Sequence, residues 1–229
     1  MVTFDKDLHR YKNAETGEVY ISVSQLISRY REPFKRDFLA EKVAKREKKT
    51  KQEILDQWDK NNKDACDKGQ RIHSIIEKYL KEGVVDDADL INKFVDIFNR
   101  SDYRDIKCEH ILYNHNHKLA GTSDCVCDVD ELHFDIIDFK TNKKFNFQNN
   151  YGEYLKAPLN NLQHCQYNEY SIQLSLYAFL YSSETGKRLR KIEIFYYDNN
   201  SFTKIPVPYL YWDIQVLLKH YGQNIVEQG

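Results

Sequence analysis

The 229-residue sequence predicts an α/β fold: a mixed central β-sheet containing an antiparallel meander, flanked by helices, with an N-terminal hairpin and a helical arm. Three observations predict it. Residues 106–139 hold three consecutive strand-like runs separated by short polar turns. Helical apolar stripes lie before them (Ile72 to Phe98) and after them (Ile172 to Leu180), three and four residues apart. Between them and the N-terminus, residues 35–61 are densely charged with sparse apolar positions, the pattern of a solvent-lined helical arm.

Taken in order, Phe4 to Ile21 alternates around Asn13-Ala14-Glu15-Thr16-Gly17 and reads as a hairpin. Ser22 or Ser24 offers an N-cap for a short helix carrying Leu26, Ile27 and Tyr30, which Glu32-Pro33 interrupts. Two charged helices are expected over about 35–49 and 52–61, then a third over 68–80 that Gly83 ends. Another spans about Asp87 to Arg100. Strands follow over Ile106–Tyr113, Leu119–Val129 and Leu132–Phe139. After a long Asn- and aromatic-rich loop (142–164), either folded over a substrate or disordered, a helix is expected over Asn168–Tyr181. A closing hairpin around Asp198-Asn199-Asn200 and a last helix over Tyr209–Val226 complete a single domain, with 1–66 as hairpin and arm and 67–229 as core.

Composition narrows the function. No apolar run reaches membrane-spanning length, and Met1-Val2-Thr3-Phe4-Asp5 has no signal pattern, so a cytoplasmic location is the expectation, ahead of a mitochondrial one. The formal net charge of −1 gives nucleic-acid binding no general support. Locally, however, Arg31–Lys51 carries nine Lys/Arg against four Asp/Glu, either a solvated helix face or a phosphate-tracking surface. The five cysteines form no CxxC pair, and Cys125 and Cys127 read as small buried hydrophobes.

The chemistry-bearing stretch is Asp135-Ile136-Ile137-Asp138-Phe139-Lys140-Thr141. An apolar strand that ends in Asp-x-Lys puts both charges on one face, where burial is costly unless they pair or meet a metal. A two-residue turn at Asn116-His117 sets Glu109 opposite Asp124, with paired residue numbers summing to 233. A turn centred on Glu131 sets Asp124 opposite Asp138, with numbers summing to 262. Unbulged hairpins therefore line up three carboxylates beside Lys140, a row that repels itself unless cations neutralise it. His73, at the edge of its helix stripe, reads alone as a packing residue or a ligand. Gln173 and Tyr177, four apart, are helix-surface neighbours of open role.

Together Gly69…His73, Glu109, Gly121-Thr122-Ser123-Asp124, Asp138-Phe139-Lys140-Thr141 and Gln173-x-x-x-Tyr177 resemble the RecB-like branch of the PD-(D/E)xK nuclease superfamily. Tyr20-Ile21-Ser22-Val23-Ser24 is similar to the "SVT" stretch of the mitochondrial genome maintenance exonuclease and related phage exonucleases. The proline of the family motif is Ser123 here, and Ser24 stands where relatives often carry threonine. The resemblance implies a restriction-endonuclease-like core and a Mg²⁺- or Mn²⁺-dependent DNA exonuclease. Its metal residues would be His73, Glu109, Asp124, Asp138 and the Phe139 carbonyl, with Lys140 catalytic beside the acids. It implies DNA contacts at Gln173, Tyr177 and Ser24, with Arg71 and Lys143 as basic candidates beside the motifs. Some relatives hold an iron–sulfur cluster on C-terminal cysteines, but no cysteine follows Cys165, so none is expected. The expected partner is DNA, as single strands or ends. No phosphate loop of the GxxxxGK[ST] type occurs, so a helicase, polymerase or recombinase would be a separate chain. A structure-specific endonuclease and a non-catalytic nucleic-acid-binding module are the alternatives.

Overall fold

The computed structural model describes residues 1–5, 8 and 10–227. Eight strands form one open, mostly antiparallel sheet: β1 Val2–Asp5, β2 Arg10–Asn13, β3 Val19–Ser22, β4 Asp105–Asn114, β5 Leu119–Asp128, β6 His133–Lys140, β7 Arg188–Asp198 and β8 Ser201–Val207. Six helices accompany it: α1 Val23–Ser28, α2 Arg36–Glu47, α3 Lys51–Glu82, α4 Ala88–Val95, α5 Gln166–Thr185 and α6 Tyr211–Glu227. No helix among the described residues is long and apolar enough to cross a membrane.

The sheet buries both faces. On one, Leu26 of α1, Ile172, Leu176 and Leu180 of α5, and Leu217 of α6 pack on Val126, Ile136 and Ile194. On the other, Ile72 and Ile76 of α3 with Leu90 and Phe94 of α4 pack on Cys125, Cys127, Ile137 and Phe195. A fully buried Leu or Ile contributes roughly 1.5–3 kcal/mol, whereas an exposed ion pair contributes about 0–1 kcal/mol. The two cores, not the many surface ion pairs, therefore hold the fold.

Local chemistry fixes the element ends. Ser22 caps α1 through a capping box with Gln25, and Thr50 caps α3 through one with Glu53. The β7–β8 turn places Asn199 and Asn200 at φ 46° and 61°, the left-handed region that asparagine tolerates best among side-chain-bearing residues. Arg190 and Lys187, part of a basic cluster in the sequence, are absorbed by ion pairs to the buried Asp135 and Asp128.

Three expectations change. The charged helix at 52–61 and the helix at 68–80 are one 32-residue helix, α3, because nothing between Asn61 and Lys68 breaks helical geometry. Gly69 alone costs about 1 kcal/mol relative to alanine. A Cβ there would meet Thr141 Oγ1 at 3.1 Å, so the glycine lets α3 close on the end of β6. The 66/67 division therefore falls inside a helix.

Second, the hairpin at the N-terminus is β2 with β3, extended by β1, and Lys6, Asp7 and His9 lie outside the described residues. Third, the 142–164 loop is tied to the core rather than disordered. Leu155 and Leu159 are buried in the first core, Lys156 N–H donates to the Tyr30 carbonyl, and Asn149 Oδ1 accepts from two backbone amides. Buried leucines replace the missing regular hydrogen bonding as its anchor.

Candidate active site

β5 has two different neighbours along one edge. Its first residues pair in parallel with β3 (Ile21↔Leu119, Ser22↔Ala120), and its last pair antiparallel with β6 (Cys125↔Ile137 to Asp128↔Phe134). Gly121–Asp124 thus lies at a fork where the sheet opens. Both predicted registers hold: the β4–β5 pairs sum to 233 and the β5–β6 pairs to 262.

The ladder skips Glu109 and Asp124, however. Glu109 sits at φ 50°, left-handed backbone that is uncommon for a side-chain-bearing residue. Lys107 and His110, three residues apart, both meet Tyr181 of α5, so side-chain alternation slips by one at Glu109. Strand β5 slips with it. Gly121 faces Tyr177 of α5, whereas Cys125 packs with the α3–α4 core. The matched slips preserve the register and release two carboxylates from a flat row. Backbone held in sparsely populated regions clusters at functional sites.

The released carboxylates turn toward α3. Ligand atoms of His73, Glu109 and Asp124 all lie within 4.8 Å of one another. His73 Nδ1 is 3.5 Å from Asp124 Oδ1, and its Nε2 is 3.0 Å from the Phe139 carbonyl oxygen. Asp124 Oδ2 accepts the Phe139 N–H at 2.7 Å, replacing a ladder bond that the fork removes. Asp138 is buried beside them and pairs with Lys140, whose ammonium also lies 4.6 Å from the centre of the Tyr170 ring. Glu109 and Phe139 line an open cleft of about 520 Å³, walled by α3 (Gly69, His73, Glu77), the end of β6 (Lys140, Thr141) and Tyr170 of α5, with Asp124 and Asp138 behind its lining.

The charges are strongly coupled. Burial pulls the His73 imidazole down, but Asp124 and Asp138 outweigh it and lift its pKa to about 9. Burial also opposes ionisation of Asp124, yet His73 and the Phe139 amide hold it below the usual carboxylate range. Burial and the neighbouring Asp124 push Asp138 up to about 6 despite Lys140. Partial desolvation, Asp124 and Glu77 raise Glu109 to about 6 as well.

Raised proton affinity at two carboxyls and the imidazole is what burial and crowded negative charge produce together. One nitrogen among oxygen donors fits Mg²⁺ or Mn²⁺ better than a thiolate-seeking metal.

The His73 pairing has a signed consequence. Its folded pKa of about 9 lies above the ordinary 6.5, so the stabilisation is complete below pH 6.5 and is lost as pH rises through 9. In chelator, the unfolding free energy should fall by on the order of 2 kcal/mol between pH 6.5 and 9.5. Denaturant titrations of wild type and His73→Gln check this. A wild-type curve as flat as the variant's rules it out.

The remaining sequence candidates are placed differently. Tyr177 is buried behind the fork and accepts a hydrogen bond from Gln173 Nε2 at 3.0 Å. Ser24 is exposed and shares a hydrogen bond with Ser22. Arg71 pairs with Asp87, the N-cap of α4, and neither it nor Lys143 lines the cleft. Cys108, Cys125, Cys127 and Cys165 are buried free thiols, while Cys66 is exposed at the cleft edge. Sequence reasoning missed Glu77 and Tyr170. The available signal was helical spacing, since Glu77 is four residues after His73 and Tyr170 three before Gln173.

The chain matches no protein-family model, and no curated protein matches it by sequence. Two solved structures follow part of its path. The protein SSO0001 superposes with a TM-score of 0.42 at 14% identity, over 90% of this chain and 75% of its own. A "putative exonuclease" from Eubacterium rectale superposes with a TM-score of 0.41 at 14% identity, over 91% of this chain and 79% of its own. Neither likeness is close enough to assign a family.

Proposed function

We propose that the protein is a divalent-metal-dependent DNA exonuclease of the RecB-like branch, on a restriction-endonuclease-like core. The observation that carries this reading is the convergence of His73, Glu109 and Asp124 beside a buried Asp138–Lys140 pair in an open cleft. Binding nucleic acid requires no such cluster, because bare carboxylates repel phosphates.

His73, Glu109, Asp124 and the Phe139 carbonyl would hold Mg²⁺ or Mn²⁺, with Asp138 completing the acidic face. A cation there supplies charge neutralisation at the scissile phosphate and lowers the pKa of water. Lys140, kept charged against Asp138, orients the attacking water and offsets negative charge that grows on the phosphate oxygens. Phe139 N–H and His73 hold Asp124 in place from two sides. On the arm, Phe34 and Phe38 are 69% and 64% exposed, with Phe34 beside Trp58, and they offer faces on which unpaired bases can stack.

The test uses end-labelled single-stranded and duplex DNA with Mg²⁺ or Mn²⁺, wild type beside Asp138→Ala and Lys140→Ala. Wild type should shorten labelled ends and spare circular single strands, and both variants should lose activity by about 10²-fold or more. Equal cleavage by all three proteins, or none under any metal condition, removes the assignment. Comparing 5′- and 3′-labels gives the polarity.

A further inference from the structure

We propose that Tyr170 is a positioning residue that holds the Lys140 ammonium against Asp138 at the wall of the cleft. The role in turnover rests on the nuclease reading; the placement of the lysine does not. Lysine carries its charge on a flexible four-carbon stem, so a single contact to Asp138 leaves the ammonium free to swing. The Tyr170 ring supplies a second contact, its centre 4.6 Å from Nζ and within the range of cation–π attraction. The ring and the lysine line the same cleft.

The ring is itself fixed from behind. Phe145 lies 5.7 Å from Tyr170 and 5.2 Å from Tyr196, ring centre to ring centre. Tyr196 O–H then donates to the Asn142 carbonyl at 2.7 Å, two residues beyond Lys140. The start of the aromatic-rich loop therefore closes a ring of contacts: Lys140, Tyr170, Phe145, Tyr196 and back to the backbone after β6. Its Phe145 acts here as a buttress for the ring that holds the lysine.

The role belongs to the aromatic face, not the hydroxyl, so Tyr170→Phe should keep what Tyr170→Leu and Tyr170→Met lose. With lysines labelled at Cε and the Lys140 resonance assigned through Lys140→Arg, ring shielding should displace that resonance upfield in wild type and Tyr170→Phe. It should return to the ordinary lysine position in the Leu and Met variants. In cleavage assays with Mn²⁺, the Leu and Met variants should lose about 10- to 100-fold in kcat, the scale of a misplaced catalytic group, with KM and Mn²⁺ affinity unchanged. Tyr170→Phe should restore kcat.

An unchanged Lys140 resonance in the Leu variant overturns the proposal, as does a Phe variant as slow as Leu. If wild type cleaves nothing, the nuclease reading fails, and the resonance alone decides whether Tyr170 positions the lysine.

Discussion

Replacing Asp124 with asparagine should lower kcat/KM on labelled single-stranded DNA by about 10³-fold and remove the calorimetric heat of Mn²⁺ binding. The substitution keeps the shape of the side chain. Its carbonyl oxygen can still accept the Phe139 N–H that Asp124 Oδ2 accepts at 2.7 Å, so the fork should stay closed. What disappears is the charge at the centre of the cluster. Asp124 is the carboxylate held most firmly ionised, and it is the principal cause of the raised His73 pKa. Without it, His73 should titrate nearer 6.5, and the stability slope between pH 6.5 and 9.5 should flatten in the same variant. A protein that still cleaves within about threefold of wild type would show that the cluster is not where the chemistry happens.

The second large effect is structural. A Cβ at Gly121 would sit 2.5 Å from Tyr177 Cε1 and 3.2 Å from Val23 Cγ2, so Gly121→Ala forces the buried Tyr177 ring, or the helix that carries it, to shift. Helices α5 and α1 are both packed into the first core, where overpacking costs about 3 kcal/mol. For a chain of this size, that is a fall in Tm of about 6–12 °C. Tyr177→Leu in the same chain should return part of the loss, because the two substitutions share one space. Calorimetry of the single and double variants reads both numbers. A single variant melting within about 2 °C of wild type means the contact is looser than described.

These expectations show what could be read from residues alone. Strand pairing was legible because two short polar turns, at Asn116-His117 and around Glu131, each admit one centre, and both pairings follow. The same pairing set Glu109, Asp124 and Asp138 in one flat row, and the slips at Glu109 and Asp124 break that row. The left-handed turn at Glu109 was not legible, because glutamate carries no sequence signal for positive φ. The continuity of α3 was hidden by its composition, since charged residues read as a separate arm although nothing interrupts the helix. Tyr170 was hidden by abundance, as one of 17 tyrosines whose partner, Lys140, lies 30 positions earlier and on a different element.

The length of α3 carries a last consequence. Its first turns pack on α2 through Ile54, Ala40 and Ala44, and its later turns carry His73 into the cleft. At 1.5 Å per residue, 32 residues span about 48 Å, so the arm and the cleft hang from one rod. Angle along that rod is set by residue count. One residue inserted between Asn61 and Lys68 would rotate the arm by about 100° about the axis while leaving His73 in place, whereas seven would return it to within about 20° of its starting direction. The chain thus encodes the azimuth at which anything seated on the arm meets the cleft, and it does so in the spacing between Ile54 and His73.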